Sequence, residues 1–410
     1  MTDEPLKATA LDATHRALGA TMTGFAGWSM PLRYGSERAE HQAVRTAAGL
    51  FDLSHMGEIT VTGPEAGPVL DYALVGRLSA LRVGRARYTM ICDAEGGILD
   101  DLIVYRLGEE TFLVVANASN ASTVLGALAE RASGFDAAVR DDRDAYALLA
   151  VQGPASPAIL GRLTDADLPG LAYYTGLPGT VAGRPALIAR TGYTGEDGFE
   201  LFCAPADARH LWSALTDAGQ DEGLVPCGLA CRDTLRLEAG MPLYGNELTT
   251  ATTPFDAGLG RVVKLDKPGD FVGRTPLEAA AARAEATPPR ALVGLVAHGR
   301  RVPRAGYPVV DATGAVIGRV TSGAPSPTLG RPIAMAYVAP EHAAPGTEGV
   351  GVDIRGSREP YDVVALPFYT RRGEQFGLRA PRRRLACLGR GLARLPRLAG
   401  RALRLVRHGG

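Results

Sequence analysis

A chain of 410 residues, 46% hydrophobic and 21% charged, is long enough for two or three domains with real cores, and its composition excludes a disordered chain. The formal net charge of zero hides a split. Residues 371–410 hold twelve arginines and one acid, Glu374, whereas positions 1–370 carry 32 basic against 43 acidic residues, and an acidic body is a poor match to nucleic acid. Five scattered cysteines, Asp3 and Glu4 in place of a basic leader, and no apolar run long enough to span a bilayer predict reduced thiols in a cytoplasmic protein, neither exported nor membrane-spanning.

Residues 37–48 read as a helix stopped by Gly49, with strand character over 50–56 and 58–62 before the Gly63-Pro64 turn. The Trp28-Ser29-Met30-Pro31 segment reads as a packing turn. Helices are expected at 65–75, 118–133 and 206–221, and strands at 87–92, 98–106, 111–116, 145–151, 185–191 and 198–203. Runs of strands broken by isolated helices predict an α+β class, and no GxGxxG follows a strand. The Pro/Ala-rich stretch 280–290 reads as a linker. Short strands at 291–296, 307–310, 316–321, 333–338 and 363–366, separated by Gly and Pro turns, then predict a small β-barrel domain. From Arg371 onward, arginines 390, 394, 397, 401 and 404 recur at helical spacing, but Pro396 and three glycines interrupt them. That tail reads as an appendage outside the fold.

Three segments carry chemistry. In Gly96-Gly97-Ile98-Leu99-Asp100-Asp101-Leu102-Ile103-Val104-Tyr105, strand alternation puts Asp100 with Ile98, Leu102 and Val104, and Asp101 with Leu99, Ile103 and Tyr105. Both faces are apolar, and a buried unpaired carboxylate is costly. At least one of the two therefore lines a polar pocket; the alternative is that one caps the Glu95-Gly96-Gly97 turn and the other meets an arginine. A second acidic segment, Arg190-Thr191-Gly192-Tyr193-Thr194-Gly195-Glu196-Asp197-Gly198-Phe199-Glu200-Leu201, points Glu200 away from Phe199 and Leu201, toward a cleft. The third, Cys227 to Gly240, is a helix with Leu229, Arg232, Arg236 and Ala239 on one stripe. Arg232 there suits a planar anion or, equally, an acidic partner on the protein. His41 and His55 lack partners at metal-ligand spacing, and no metal site is expected.

Phe25-Ala26-Gly27-Trp28-Ser29-Met30-Pro31, Phe51-Asp52-Leu53-Ser54-His55-Met56, Gly97-Ile98-Leu99-Asp100-Asp101, the Arg190–Glu200 segment and Arg232-Asp233-Thr234-Leu235-Arg236-Leu237-Glu238 with Pro242-Leu243-Tyr244-Gly245 closely resemble, in order, the aminomethyltransferases, the T-proteins of the glycine cleavage system. The resemblance runs from about residue 6 to Tyr369. It implies a three-domain cloverleaf around a central folate channel: 1–59 with 140–249, 60–139 with 250–279, and a barrel at 280–370, with 371–410 outside. It also implies the reaction, in which the aminomethyl group on the lipoyl arm of the H-protein releases ammonia and yields 5,10-methylene-tetrahydrofolate and dihydrolipoyl H-protein. By motif matching, Asp101 is the carboxylate beside the reacting folate nitrogen and Glu200 bonds the pterin. Arg232 and Tyr369 match substrate-contacting positions, Tyr88, Asn117, Tyr193 and Met56 line the folate channel, and Arg371 or Arg372 meets the folate tail. Relatives that use the scaffold for iron–sulfur assembly or tRNA modification carry a cysteine in a KGCYTGQE-like motif, where this chain has Arg190-Thr191-Gly192-Tyr193-Thr194-Gly195-Glu196.

Overall fold

A computed structural model describes residues 5–286 and 288–371; the expectations for the arginine-rich tail beyond Arg371, for Arg372 and for Cys387 fall outside them. Four sheets organise the described residues. A six-stranded sheet runs in the order Gly176–Val181, Arg184–Ala189, Gly198–Cys203, Ala147–Gln152, Ala48–Asp52, Leu224–Pro226, and a five-stranded one in the order Ala86–Cys92, Ile98–Gly108, Thr111–Ala116, Gly57–Thr62, Ala138–Asp141. The helices Ser156–Gly161 and Ala208–Gly219 close one core on the first sheet, and Ala66–Ala73 and Ala121–Arg131 another on the second. The opposite faces of the two sheets share a third core, in which Phe51, Leu148 and Phe202 meet Tyr105, Leu113 and Val115. The central strands thus have one face in their own core and one toward the neighbouring sheet, which explains strands with two apolar faces.

The six strands Ala291–Ala297, Arg331–Val338, Val316–Ser326, Pro308–Val310, Gly351–Ile354 and Ser357–Val364 close into the expected barrel, so the α+β class with a small C-terminal barrel holds. The helix Leu229–Glu238 joins this barrel to the rest: Leu237 packs with Ile333, Met335 and Phe368, while Leu235 and Cys231 enter the core between the two large sheets. Its last residue, the fully buried Glu238, accepts from His41 Nε2 at 3.0 Å, Arg45 Nη2 at 3.0 Å, Ser326 Oγ at 2.5 Å and Thr328 Oγ1 at 2.7 Å. These bonds hold its carboxyl down at about 2.

Three expectations are corrected. Trp28-Ser29-Met30-Pro31 lies in a strand, Trp28–Arg33, paired with Thr21–Phe25. The turn is Ala26-Gly27, with φ of 49° and 81°, the two left-handed residues of a tight hairpin, and Pro31 is tolerated because the register slips opposite it at Thr21/Met22. The strand expected over 50–56 ends at Asp52, whose carboxylate takes the Ser54 N–H at 2.9 Å and turns the chain. The expected linker is largely the helix Arg274–Ala286, as its alanines favour. No helix among the described residues is long and apolar enough to cross a membrane.

Candidate active site

Gly97 brings the central strand to its carboxylates. A Cβ there would stand 2.1 Å from the Thr250 carbonyl oxygen, so only glycine allows the two backbones to approach. The turn before it is capped by Asp93, whose Oδ1 accepts the N–H groups of Glu95 and Gly97. Neither Asp100 nor Asp101 does that work, and neither pairs with an arginine among the described residues, so the alternative reading of the pair fails. Asp100 is sealed, with its Oδ1 held by Asn117 Nδ2 and Asn120 Nδ2 at 2.8 Å each and its Oδ2 by the Asn117 backbone N–H at 2.9 Å. Asp101, half-buried, takes Tyr88 Oη at 3.0 Å and Asn117 Nδ2 at 2.8 Å. Burial raises both carboxyls, Asp101 to about 6 and Asp100, with its charged neighbour adding to burial, to about 7.

Asp101 opens on a cavity of about 300 Å³ between the two large sheets. Met56, Tyr88, Asn117, Tyr193, Glu200 and Arg232 line it too, so seven of the nine residues singled out in the sequence converge on one space. Glu200 sits in the strand Gly198–Cys203 and is opposed to Phe199 and Leu201, both fully buried in the first core. Its Oε2 accepts from Thr191 Oγ1 and from Tyr105 Oη at 3.4 Å, and burial raises its carboxyl. Arg232 stacks on the Tyr193 ring, 4.8 Å from its centroid, while Tyr193 Oη donates to the Pro242 carbonyl. No carboxylate forms a direct ion pair with Arg232 among the described residues, and burial lowers its pKa although the Glu200 charge on the same cavity opposes that: a desolvated guanidinium with no direct ion pair favours an anionic or carbonyl-bearing ligand.

Tyr369 and Arg371 do not line this cavity. Tyr369 stacks with Arg45, 4.0 Å from ring to guanidinium carbon, and bonds Glu196. Arg371 pairs with Asp197 at 3.5 Å and covers the Tyr173 ring at 5.1 Å; the next residue, Tyr174, is on the cavity wall. Tyr174 and Tyr105 are wall residues that the sequence reading left out of the site. Tyr105 was legible as sharing the face of Asp101, but nothing local marks Tyr174.

A second cavity of about 430 Å³ meets the first at Met56, Asn117, Tyr193 and Arg232, and extends past His55, Phe25, Tyr244 and Asn246. Elsewhere, Glu40, Cys227 and Cys231 bring three metal-capable atoms within 4.8 Å of one another. Glu40 is already occupied there by the N–H groups of Tyr34 and Gly228, and Gly49 is packed so close that an added Cβ would lie 2.6 Å from Cys227 Sγ.

The profile of the GCVT N-terminal domain matches residues 11–267, and that of the glycine cleavage T-protein C-terminal barrel domain matches residues 290–370. The aminomethyltransferase of Streptomyces coelicolor is 77% identical over 371 residues, 90% of this chain and 100% of that protein. That of Streptomyces avermitilis is 78% identical over 363 residues, 88% and 97% of the two chains. The crystal structure of glycine cleavage system aminomethyltransferase T from Bartonella henselae superposes with a TM-score of 0.82 at 39% identity, covering 90% of this chain and 99% of that one. With the same two-part domain pattern, the same closed barrel and this identity over nearly its relatives' whole length, the chain belongs to the glycine cleavage T-protein family, the aminomethyltransferases of the glycine cleavage system.

Proposed function

We propose that the chain transfers the one-carbon unit of an aminomethyl group, carried on the lipoyl arm of H-protein, to tetrahydrofolate, releasing ammonia and forming 5,10-methylene-tetrahydrofolate and dihydrolipoyl H-protein. The observation that carries this reading is the first cavity, which sets a raised carboxyl, Asp101, across from a buried carboxylate, Glu200, and an unpaired guanidinium, Arg232. An amino-pyrimidine edge offers adjacent donors to a carboxylate, which suits Glu200. Asp101, ionised at neutral pH and not strongly basic, suits a group that orients a nucleophilic nitrogen, stabilises a cationic carbon and takes up a proton. Tyr88 and Asn117 hold that carboxylate by hydrogen bonds, and Met56 and Tyr193 supply apolar wall.

The second cavity suits the sulfur-bearing half of the other substrate, since a transfer between two carriers needs two spaces that meet. Arg371, beside Tyr173 and Tyr174, is placed by this reading at the folate tail, and Tyr369 supports the Arg45–Glu196 contact behind the site. The division into 1–59 with 140–249, 60–139 with 250–279, and 280–370 is proposed with it, each part built around one large sheet or the barrel, with the strand Gly57–Thr62 crossing the first boundary. No metal enters this reaction.

Ammonia release from aminomethyl-loaded H-protein, measured with and without tetrahydrofolate, tests the reading. Folate-dependent turnover is expected; folate binding without turnover would instead mark a silent folate carrier.

A further inference from the structure

His55 is a buried polar group on the second cavity that the account so far leaves unused. It is 4% exposed, yet its Nδ1 is sealed with no hydrogen-bond partner, and among the described residues Nε2 has none either. Nε2 is therefore the ring nitrogen left to the cavity that His55 lines. Phe25, edge-on at 5.5 Å between ring centroids, fixes the plane of the imidazole.

Apart from Arg232, which stacks on Tyr193, the nitrogen-bearing side chains beside His55 are engaged. Arg236 is bound to Asp233, Glu247 and Ser322, Asn246 Nδ2 donates to Ser322, and the Asn117 amide is taken by the two aspartates. A buried imidazole with no internal partner is an expense that a ligand would offset.

We propose that His55, through Nε2–H, is the hydrogen-bond donor that receives the sulfur atom as the carbon–sulfur bond of an aminomethyl thioether breaks. The proposal rests on the reading of the second cavity as the sulfur side of the aminomethyl transfer. In that step both electrons of the C–S bond stay on sulfur, and the carbon gains bonds to two folate nitrogens while losing its bonds to sulfur and to the amine. The two N–H protons of the folate end one on sulfur and one on ammonia.

The tautomer follows from burial: a sealed lone pair on Nδ1 is better tolerated than a sealed N–H, which puts the hydrogen on Nε2. Burial and the nearby Arg232 charge hold the ring at about 4, so at neutral pH it is an uncharged donor that does not repel a cationic carbon.

His55→Phe keeps a flat ring against Phe25 and removes the donor, whereas His55→Gln returns an N–H near the Nε2 position. The donor to a developing thiolate is a charge-assisted bond, so His55→Phe is expected to lower kcat about 10- to 100-fold. The folate Kd and the KM for loaded H-protein should stay within about twofold, and His55→Gln should regain most of the rate. Independently, ¹⁵N imidazole spectra of the wild-type chain, which has seven histidines, should show the Nε2 resonance of His55 moving on addition of dihydrolipoamide while its Nδ1 stays still.

Wild-type kcat in His55→Phe, a His55→Gln variant as slow as His55→Phe, or an Nε2 resonance unmoved by saturating dihydrolipoamide would each overturn the proposal. Should the wild type itself lack folate-dependent turnover, the transfer reading fails, while the dihydrolipoamide titration still decides the contact of His55 with a thiol.

Discussion

Asp101→Asn separates what the carboxylate does for the reaction from what it does to the fold. The asparagine keeps the shape of the side chain and a partner for Tyr88 and Asn117, but removes the charge. Burial holds the Asp101 carboxyl at about 6 instead of its ordinary 3.8, and each pH unit of such a displacement is worth about 1.4 kcal/mol. Between those two pH values the folded chain binds more protons than the unfolded one, so stability falls as pH rises through the window. At pH 7 the ionised Asp101 therefore destabilises the fold by about 3 kcal/mol, and Asp101→Asn removes that cost. With an unfolding entropy near 2.1 cal/mol/K per residue, the Tm should rise by about 4 °C at pH 7 and by almost nothing at pH 4. Turnover should fall in the opposite sense, by about 10²- to 10⁴-fold, with folate affinity largely kept. Thermal unfolding at the two pH values, beside single-turnover ammonia release, checks both halves. A variant that is less stable at pH 7, or whose stability gain persists unchanged at pH 4, refutes the electrostatic argument, and wild-type turnover refutes the assigned role.

Glu200→Ala should weaken folate binding about 10- to 100-fold, the range for losing hydrogen bonds to a charged group; unchanged affinity by titration removes Glu200 from the site. Glu238→Gln leaves His41 and Arg45 buried without their shared carboxylate and should cost about 3–5 kcal/mol at pH 7 by denaturant unfolding. Because the Glu238 carboxyl is held at about 2, below its ordinary 4.5, that contribution is present above pH 4.5 and disappears as pH falls toward 2. Gly97→Ala drives a Cβ into the Thr250 backbone; a loss of about 1–3 kcal/mol is expected, and an unchanged Tm would show that the two backbones separate freely.

Much of the site was legible because strand alternation is unambiguous. Asp101 falls on the face of Ile103 and Tyr105 and Glu200 opposite Phe199, and both faces open on the cavity. The helix stripe of Leu229, Arg232 and Arg236 likewise lines the second cavity. Motif order assigned roles that periodicity alone left open, since nothing local distinguishes Arg232, unpaired, from Arg236, held by Glu247 at 3.0 Å. Two of the failures have one character. The ends of elements depended on contacts distant in sequence: the Asp52 strand stops where its carboxylate also takes His15 and Thr9, and Pro31 survives in a strand because the pairing slips opposite it. Tyr174 reaches the cavity from a left-handed residue, φ 58°, in a connection with no apolar period to read.

The most direct test is the folate dependence of the reaction itself. Aminomethyl-loaded H-protein is mixed with the chain, and ammonia and methylene-tetrahydrofolate are followed with and without tetrahydrofolate. Equimolar release of the two products that requires tetrahydrofolate, and that Asp101→Asn slows severely while still binding folate, is the expected result; equal ammonia release without folate, or no release with folate bound, contradicts the account.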